Sequence, residues 1–284
     1  MATYSVHSAQ ATLLLNLNLA GGLFPMRVAL GIEYDGSRFS GWQRQSHRLS
    51  VQVALEEALS RVADHPVTVT CAGRTDAGVH ATHQVIHFDT TAPRPSRAWV
   101  RGVNSNLPGD IRITWVRAVP QVFHARFAAT ARSYRYVILS RAVPPALHRR
   151  RVAWTYRPLQ LSAMRVAAQY LLGEHDFSSY RALACQARHP VRTVHRLDIT
   201  RCGDYFYVDV TANAFLHHMV RNIAGVLLSI GSGARPPQWS WEILQARDRT
   251  AGGVTAPAGG LYLVAVRYPT QFAIPERGEL PVFA

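Results

Sequence analysis

Lysine is missing altogether: all 31 cationic side chains of this 284-residue chain are arginine. Its absence excludes Schiff-base chemistry, pyridoxal phosphate attachment and a phosphate-loop lysine, each of which needs a primary amine. What remains are planar, permanently charged forks that grip phosphate and stack on bases but do not serve as bases near neutrality. Cysteine is scarce as well. Cys71, Cys185 and Cys202 form an odd, widely spaced set with no CxxC pair. That argues against a disulfide framework or a cysteine-rich zinc site and fits a reducing, cytoplasmic compartment. Acidic residues number only 17, which leaves a formal net charge of +14. A surface of this kind concentrates polyanions around it, nucleic acid foremost. Long apolar runs are lacking too. The stretch ATLLLNLNLAGGLF has no preceding positive charge and is interrupted by Asn16 and Asn18, so it reads neither as a secretory signal nor as a membrane span. Strand patterning begins only after Met26, with RVALGIEY. Residues 1–26 are therefore expected to be an extension, either disordered or upstream of the natural start.

Val28, Leu30, Ile32 and Tyr34 alternate as in a strand, and Asp35 to Ser37 supply a turn. Ser50 is placed to cap a helix whose apolar face holds Leu55, Ala58, Leu59 and Val62. VTVTC and HQVIHF read as strands on either side of CAGRTDAGVHA. A second round follows, with a strand over 133–139, a helix over 163–172 ended by Gly173, and a strand over 205–210. Asn213 is expected to cap a long helix with Leu216, Val220, Ile223, Leu227 and Ile230 along its seam. A short helix over 241–247 and a strand from Leu261 complete the pattern. Two successive strand-and-helix rounds predict an α+β fold of two α/β halves with a cleft between them. The divisions expected are a domain over 27–121, a second over 122–270, and a tail over 271–284.

The motifs leave alternatives open when taken one at a time. The glycines of GRTDAG, Gly73 to Gly78, are spaced like those of a phosphate loop, but His80 follows where lysine would be needed. The segment is either a tight turn or a loop that presents Arg74 and Asp76 at a cleft. His83 and His87 share a strand face, so two metal ligands are conceivable. Yet HExxH, a zinc-deaminase signature and a paired acid cluster are all missing. In NAFLHHMVRNIAG the apolar seam leaves Arg221 on the other side with His217, where a guanidinium could meet a carboxylate from another segment. In ATARSYRYVI, Tyr134 and Tyr136 fall on one strand face and Arg135 on the other, an arrangement suited either to a core or to base stacking.

Taken together and in order, these segments resemble the tRNA pseudouridine synthases of the TruA type. The likeness runs from about Arg27 to Tyr268 and is carried by YDGSRFSGWQRQ, CAGRTDAGVHA, VNSNLP, FHARFAATARSYRY, GEHDFSSYRA, NAFLHHMVRNIAG, DRT and GGLYLVAV. Ser133 stands where a second basic residue is common. The resemblance implies a pseudouridine synthase fold with a central RNA-binding cleft, acting as a homodimer without metal or cofactor. It implies isomerisation of uridines 38, 39 and 40 in the tRNA anticodon arm. By the same resemblance Asp76 is the essential aspartate and Arg221 its ionic partner. Tyr134 stacks on the uracil, Leu261 lies against the other side of the base, and Arg74 intrudes into the RNA. Two rivals from other classes are a non-catalytic RNA-binding module and a metal-dependent nuclease.

Overall fold

A computed structural model describes residues 25–276 and 278–283. The expectation for the N-terminal extension falls outside the described residues up to position 24, and Met26 already opens the first strand. In chain order the strands are β1 Met26–Tyr34, β2 Thr70–Cys71, β3 His80–Thr90, β4 Ile111–Val119, β5 Ala131–Ser140, β6 Ala153–Thr155, β7 Gly173–Asp176, β8 Val191–Cys202, β9 Tyr205–Ala212 and β10 Leu261–Arg267. The helices are α1 Val51–Ala63, α2 Val103–Asn106, α3 Leu161–Gln169, α4 Met219–Gly231 and α5 Trp239–Ala246. Among the described residues no helix is long and apolar enough to cross a membrane.

The fold is α+β, as expected, and its two rounds meet in one ten-stranded sheet of order β4-β1-β3-β10-β5-β9-β8-β7, with β2 beside β3 and β6 beside β5. Pairing is antiparallel almost throughout. The last strand makes the exception that matters, because β10 lies parallel to β3, with Tyr262 opposite His80 and Leu263 opposite Ala81. On its other side β10 runs antiparallel to β5, placing Leu261 opposite Tyr136 and Leu263 opposite Tyr134. The C-terminal strand therefore stitches the first half to the second, directly beside the residues that follow the GRTDAG loop.

The two faces of β5 behave as its alternation predicts. Tyr134, Tyr136 and Ile138 point into the main core with Leu261, Leu263 and the apolar seam of α4. Val137 and Leu139 face the other way, against Tyr207, Tyr262 and Val264. Arg135 is on that second face, bonded through two nitrogens to Asp209 at 2.7 and 2.8 Å, with its guanidinium 4.8 Å from the Tyr207 ring. The helix after Ser50 also forms as expected, the Ser50 hydroxyl accepting from the Val53 N–H.

Three local expectations need correction. Asn213 caps no helix. Its side-chain oxygen accepts from the N–H groups of Thr193 and Ala214, and α4 starts six residues later, after His218 in a left-handed conformation at φ 63°. Tertiary demand overrides the local capping signal here, because the intervening loop carries two histidines elsewhere. Gly173 does not end a helix either. Helix α3 stops at Gln169, and Gly173, at φ 92°, opens β7. VTVTC contributes only the short β2, and the alternating runs IRITWVRAV and VRTVHRLDITRC supply two further strands, β4 and β8.

The histidines of β3 are tied to backbone. His80 Nε2 lies 2.9 Å from the Arg150 carbonyl oxygen and His83 Nε2 lies 2.9 Å from that of Pro275. The Ala125 N–H donates to His87 Nδ1 at 3.1 Å. Burial disfavours the charged His87 ring, and Arg27 and His124 repel it further, so its pKa falls from 6.5 to about 4. A folded value below the unfolded one means that protons bind the unfolded chain first as pH drops. The stability from this group is therefore complete above about pH 6.5 and lost progressively toward pH 4, amounting to at most about 3 kcal/mol. Urea midpoints measured across that range should fall steadily, and His87→Asn should flatten the part of the slope that His87 causes.

Candidate functional site

Asp76 sits in the loop between β2 and β3, and the sequence around it explains why that loop is stiff. The Thr75 hydroxyl bonds to the Tyr34 hydroxyl at 2.8 Å, and the Thr75 carbonyl accepts from the Trp42 N–H at 3.0 Å. The Asp76 carbonyl accepts from the Val79 N–H at 3.1 Å, closing a turn. Gln84 donates to the Gly73 carbonyl at 2.6 Å. The YDGSRFSGWQRQ segment is packed so tightly on this loop that a Cβ on Gly41 would lie 2.8 Å from the Thr75 oxygen, and Gly41 adopts φ 94°. Only glycine fits there without strain. Thus the first motif buttresses the second.

The carboxylate is met from far along the chain. Arg221 Nη1 donates to Asp76 Oδ2 at 3.0 Å, and Arg221 Nε donates to the Ala256 carbonyl at 2.9 Å. His217 Nε2 lies 3.3 Å from Oδ1 and His218 Nε2 lies 3.3 Å from Oδ2. The Asp76 side chain is 23% exposed and that of His217 45%, so the cluster stands at the surface with one edge open. Burial holds His218 below the usual histidine range. His217, Arg221 and Arg249 add to that effect and Asp76 opposes it. The left-handed turn at His218 is what aims both imidazoles at the loop, so His217 arrives from a turn before α4 and not from one helical turn below Arg221.

Sequence reasoning passed over the network that holds Arg221. Asn222 Nδ2 donates to the Tyr180 carbonyl at 2.7 Å, and its oxygen accepts from the Thr255 hydroxyl at 2.7 Å and from Arg249 Nη2 at 3.2 Å. Arg249 also donates to the Gly253 carbonyl at 3.1 Å. The DRT motif therefore clamps residues 249–256 along α4. Gly225 permits the approach, since a Cβ there would lie 1.9 Å from the Val254 oxygen. The readable signal was an asparagine on the inner side of an otherwise apolar helix, which demands partners.

The remaining residues singled out in the sequence cluster less tightly. Tyr134 is buried beneath the loop, its ring edge-on to Phe215 at a centroid distance of 5.0 Å, and burial pushes its phenol above the usual range. Leu261 is buried one row further along the same sheet face, beside Tyr136. The Tyr136 hydroxyl in turn donates to the Pro257 carbonyl at 2.8 Å. Arg74 is exposed on the loop. Nearby Cys71 is buried, and burial pushes its thiol up to about 12, which keeps it protonated near neutrality. Asp76 is the carboxylate that this loop carries.

Asp76, His217 and His218 are also the described residues placed to converge on a metal, their donor atoms lying within 4.8 Å of one another. Two imidazoles and a carboxylate suit a borderline divalent cation. Arg221 already engages Oδ2 with a permanent positive charge, and that charge opposes a second cation at the same oxygen.

Comparison with known proteins adds the following. The tRNA pseudouridine synthase family profile matches residues 31–128 and 167–269, blocks that contain Asp76 and Arg221 respectively. The chain is 59% identical over 250 residues to tRNA pseudouridine synthase A of Nitrosococcus oceani, covering 88% of this chain and 96% of that protein. It is 58% identical over 258 residues to tRNA pseudouridine synthase A of Pseudomonas aeruginosa, covering 90% of each. The Escherichia fergusonii protein of the same name is 56% identical over 257 residues, covering 90% of this chain and 95% of that one.

Gly225→Ala tests whether the clamp depends on close approach. The added methyl displaces segment 249–256 from α4, with an expected loss of about 1–3 kcal/mol. Hydrogen exchange should show protection falling at residues 249–256 before it falls in the strands. Unchanged protection there would mean that the clamp does not need the close approach.

Proposed function

The chain belongs to the tRNA pseudouridine synthase family and isomerises uridine to pseudouridine in tRNA, and from that premise we propose that Asp76 is the carboxylate that works on the ribose. The observation that carries this reading is the contact between Asp76 and Arg221, 145 positions apart, on an otherwise stiff and open loop. The reaction breaks the N1–C1′ bond, turns the uracil, joins C5 to C1′, and moves a proton from C5 to N1. It calls for a positioned carboxylate and for surfaces that keep hold of a free base.

Arg221 fixes Oδ2 from a guanidinium that the Ala256 carbonyl holds in place, which leaves Oδ1 toward His217 and the open edge. From there the carboxylate either attacks C1′ to give a ribosyl ester or removes the C2′ proton to give a glycal. Both routes require the same placement. Tyr134 supplies a ring face to the uracil, Leu261 an apolar wall, and Arg74 a cation that enters the RNA as the base leaves its stack. Extracting the nucleotide costs about a few kcal/mol, which arginine–phosphate contacts offset in a salt-dependent way. The target within tRNA is uridine 38, 39 or 40 of the anticodon arm, and the working form is a cytoplasmic homodimer that uses no metal or cofactor.

Asp76→Asn should keep tRNA affinity and lose tritium release from C5-labelled tRNA by at least about 10³-fold, some 4 kcal/mol of barrier. Substantial residual release would remove Asp76 from its role. Arg221→Lys offers one ammonium where two separate nitrogens are used, so turnover should drop about 100-fold while the fold persists. Release that continues at full rate in excess chelator, with the RNA intact, would exclude the nuclease alternative and a metal held by Asp76, His217 and His218.

A further inference from the structure

Phe127 is 77% exposed, more than the exposed Tyr156, Trp241 or Trp154. A single exposed apolar side chain is ordinary on a protein surface. This one belongs to a built arrangement. The ring is stacked on His124 with a centroid distance of 4.3 Å and an interplanar angle of 26°, and the Arg126 guanidinium lies 5.7 Å from its centroid.

The turn that presents these side chains is held on several sides. His124 Nδ1 accepts from the N–H groups of Arg126 and Phe127 at 3.2 and 3.1 Å, which requires a neutral ring. The Tyr268 hydroxyl donates to the Ala125 carbonyl at 2.7 Å, and the Ala125 N–H donates to His87. Arg27 Nη1 donates to the Phe123 carbonyl at 2.8 Å. An aromatic ring fixed in advance loses little entropy when a partner lands on it.

The same turn is joined to the Asp76 loop. Arg132 Nη2 donates to the Arg126 carbonyl at 2.6 Å and to the Ala72 carbonyl at 3.1 Å. Ala72 precedes Asp76 by four residues, a span of at most about 14 Å. Arg126, beside the Phe127 ring, and Arg74, on the Asp76 loop, are both exposed. An exposed, rigid ring with arginines beside it, next to a site that takes an extruded nucleotide, matches the chemistry by which proteins hold unpaired bases.

We propose that Phe127, backed by His124 and flanked by Arg126, is a second nucleobase site that stacks an unpaired base of the RNA near the target uridine, with Arg126 on the adjoining phosphate. The proposal rests on the reading of tRNA as substrate. Stacking on one ring face is indifferent to base identity, so the site steadies the loop around the extruded uridine without selecting a sequence.

The test uses the full chain and an anticodon-arm RNA carrying 2-aminopurine singly at each loop position other than the target. With Phe127→Ala, KM should rise about 5- to 150-fold, the range for loss of one base stack, and the loss in kcat/KM should lie in KM. Phe127→Tyr should restore the wild-type value. At one position the probe's emission should fall on binding wild-type protein and recover with Phe127→Ala, while the thermal midpoint stays unchanged because the ring lies outside the core. A wild-type KM for Phe127→Ala, or emission that is the same for both proteins at every position, would overturn the site. If the wild-type protein failed to isomerise the unlabelled RNA, the function itself would fall, a result distinct from loss of the Phe127 site.

Discussion

The contact between Asp76 and Arg221 is the constraint around which the rest of the molecule is arranged. It joins a loop of the first half to a helix of the second, at 3.0 Å. Both side chains are largely shielded, and taking two charges out of water offsets most of what their attraction returns. Such a pair contributes little net stability, so its worth is positional. Its geometry is secured from both directions. Gly41 lets the YDGSRFSGWQRQ segment press on the loop, and Gly225 lets residues 249–256 lie against α4, where Ala256 takes the second nitrogen of Arg221.

The parallel seam between β10 and β3 serves the same end at larger scale. Without β10, no backbone ladder would join β3 to β5, and side-chain bonds such as Arg132 to the Ala72 carbonyl would have to hold the alignment. With β10 inserted between β3 and β5, Leu261 and Tyr134 share one sheet face beside the strand that leaves the Asp76 loop. The site stays open at one edge, as a base attached to a long polyanion requires. Its arginine-rich surroundings draw that polyanion in.

Several of the ordered motifs prove to be supports and not reagents. Asn104 in VNSNLP exchanges two hydrogen bonds with the backbone of Ile113, at 3.0 and 2.8 Å. The DRT arginine braces Asn222, and GEHDFSSYRA provides the Tyr180 carbonyl that Asn222 bonds. This division could not be read in one dimension, because a residue that touches substrate and one that braces its neighbour leave the same trace in a motif.

Alternation and turn chemistry by themselves determined β1, β3, β5 and β10, the face of Tyr134, the Ser50 cap and an α+β class, because those features depend on neighbours within a few residues. The inventory of absent groups, with the ordered motifs, was enough to bring Asp76 forward. Only the tertiary structure decided that Asn213 caps nothing, that His218 turns left-handed, and that two imidazoles and a guanidinium meet one carboxylate. The Asn213 side chain is claimed by Thr193 of β8 and by Ala214, and the meeting at Asp76 joins segments more than a hundred residues apart. Local periodicity states which face a side chain takes, but not which distant segment will face it.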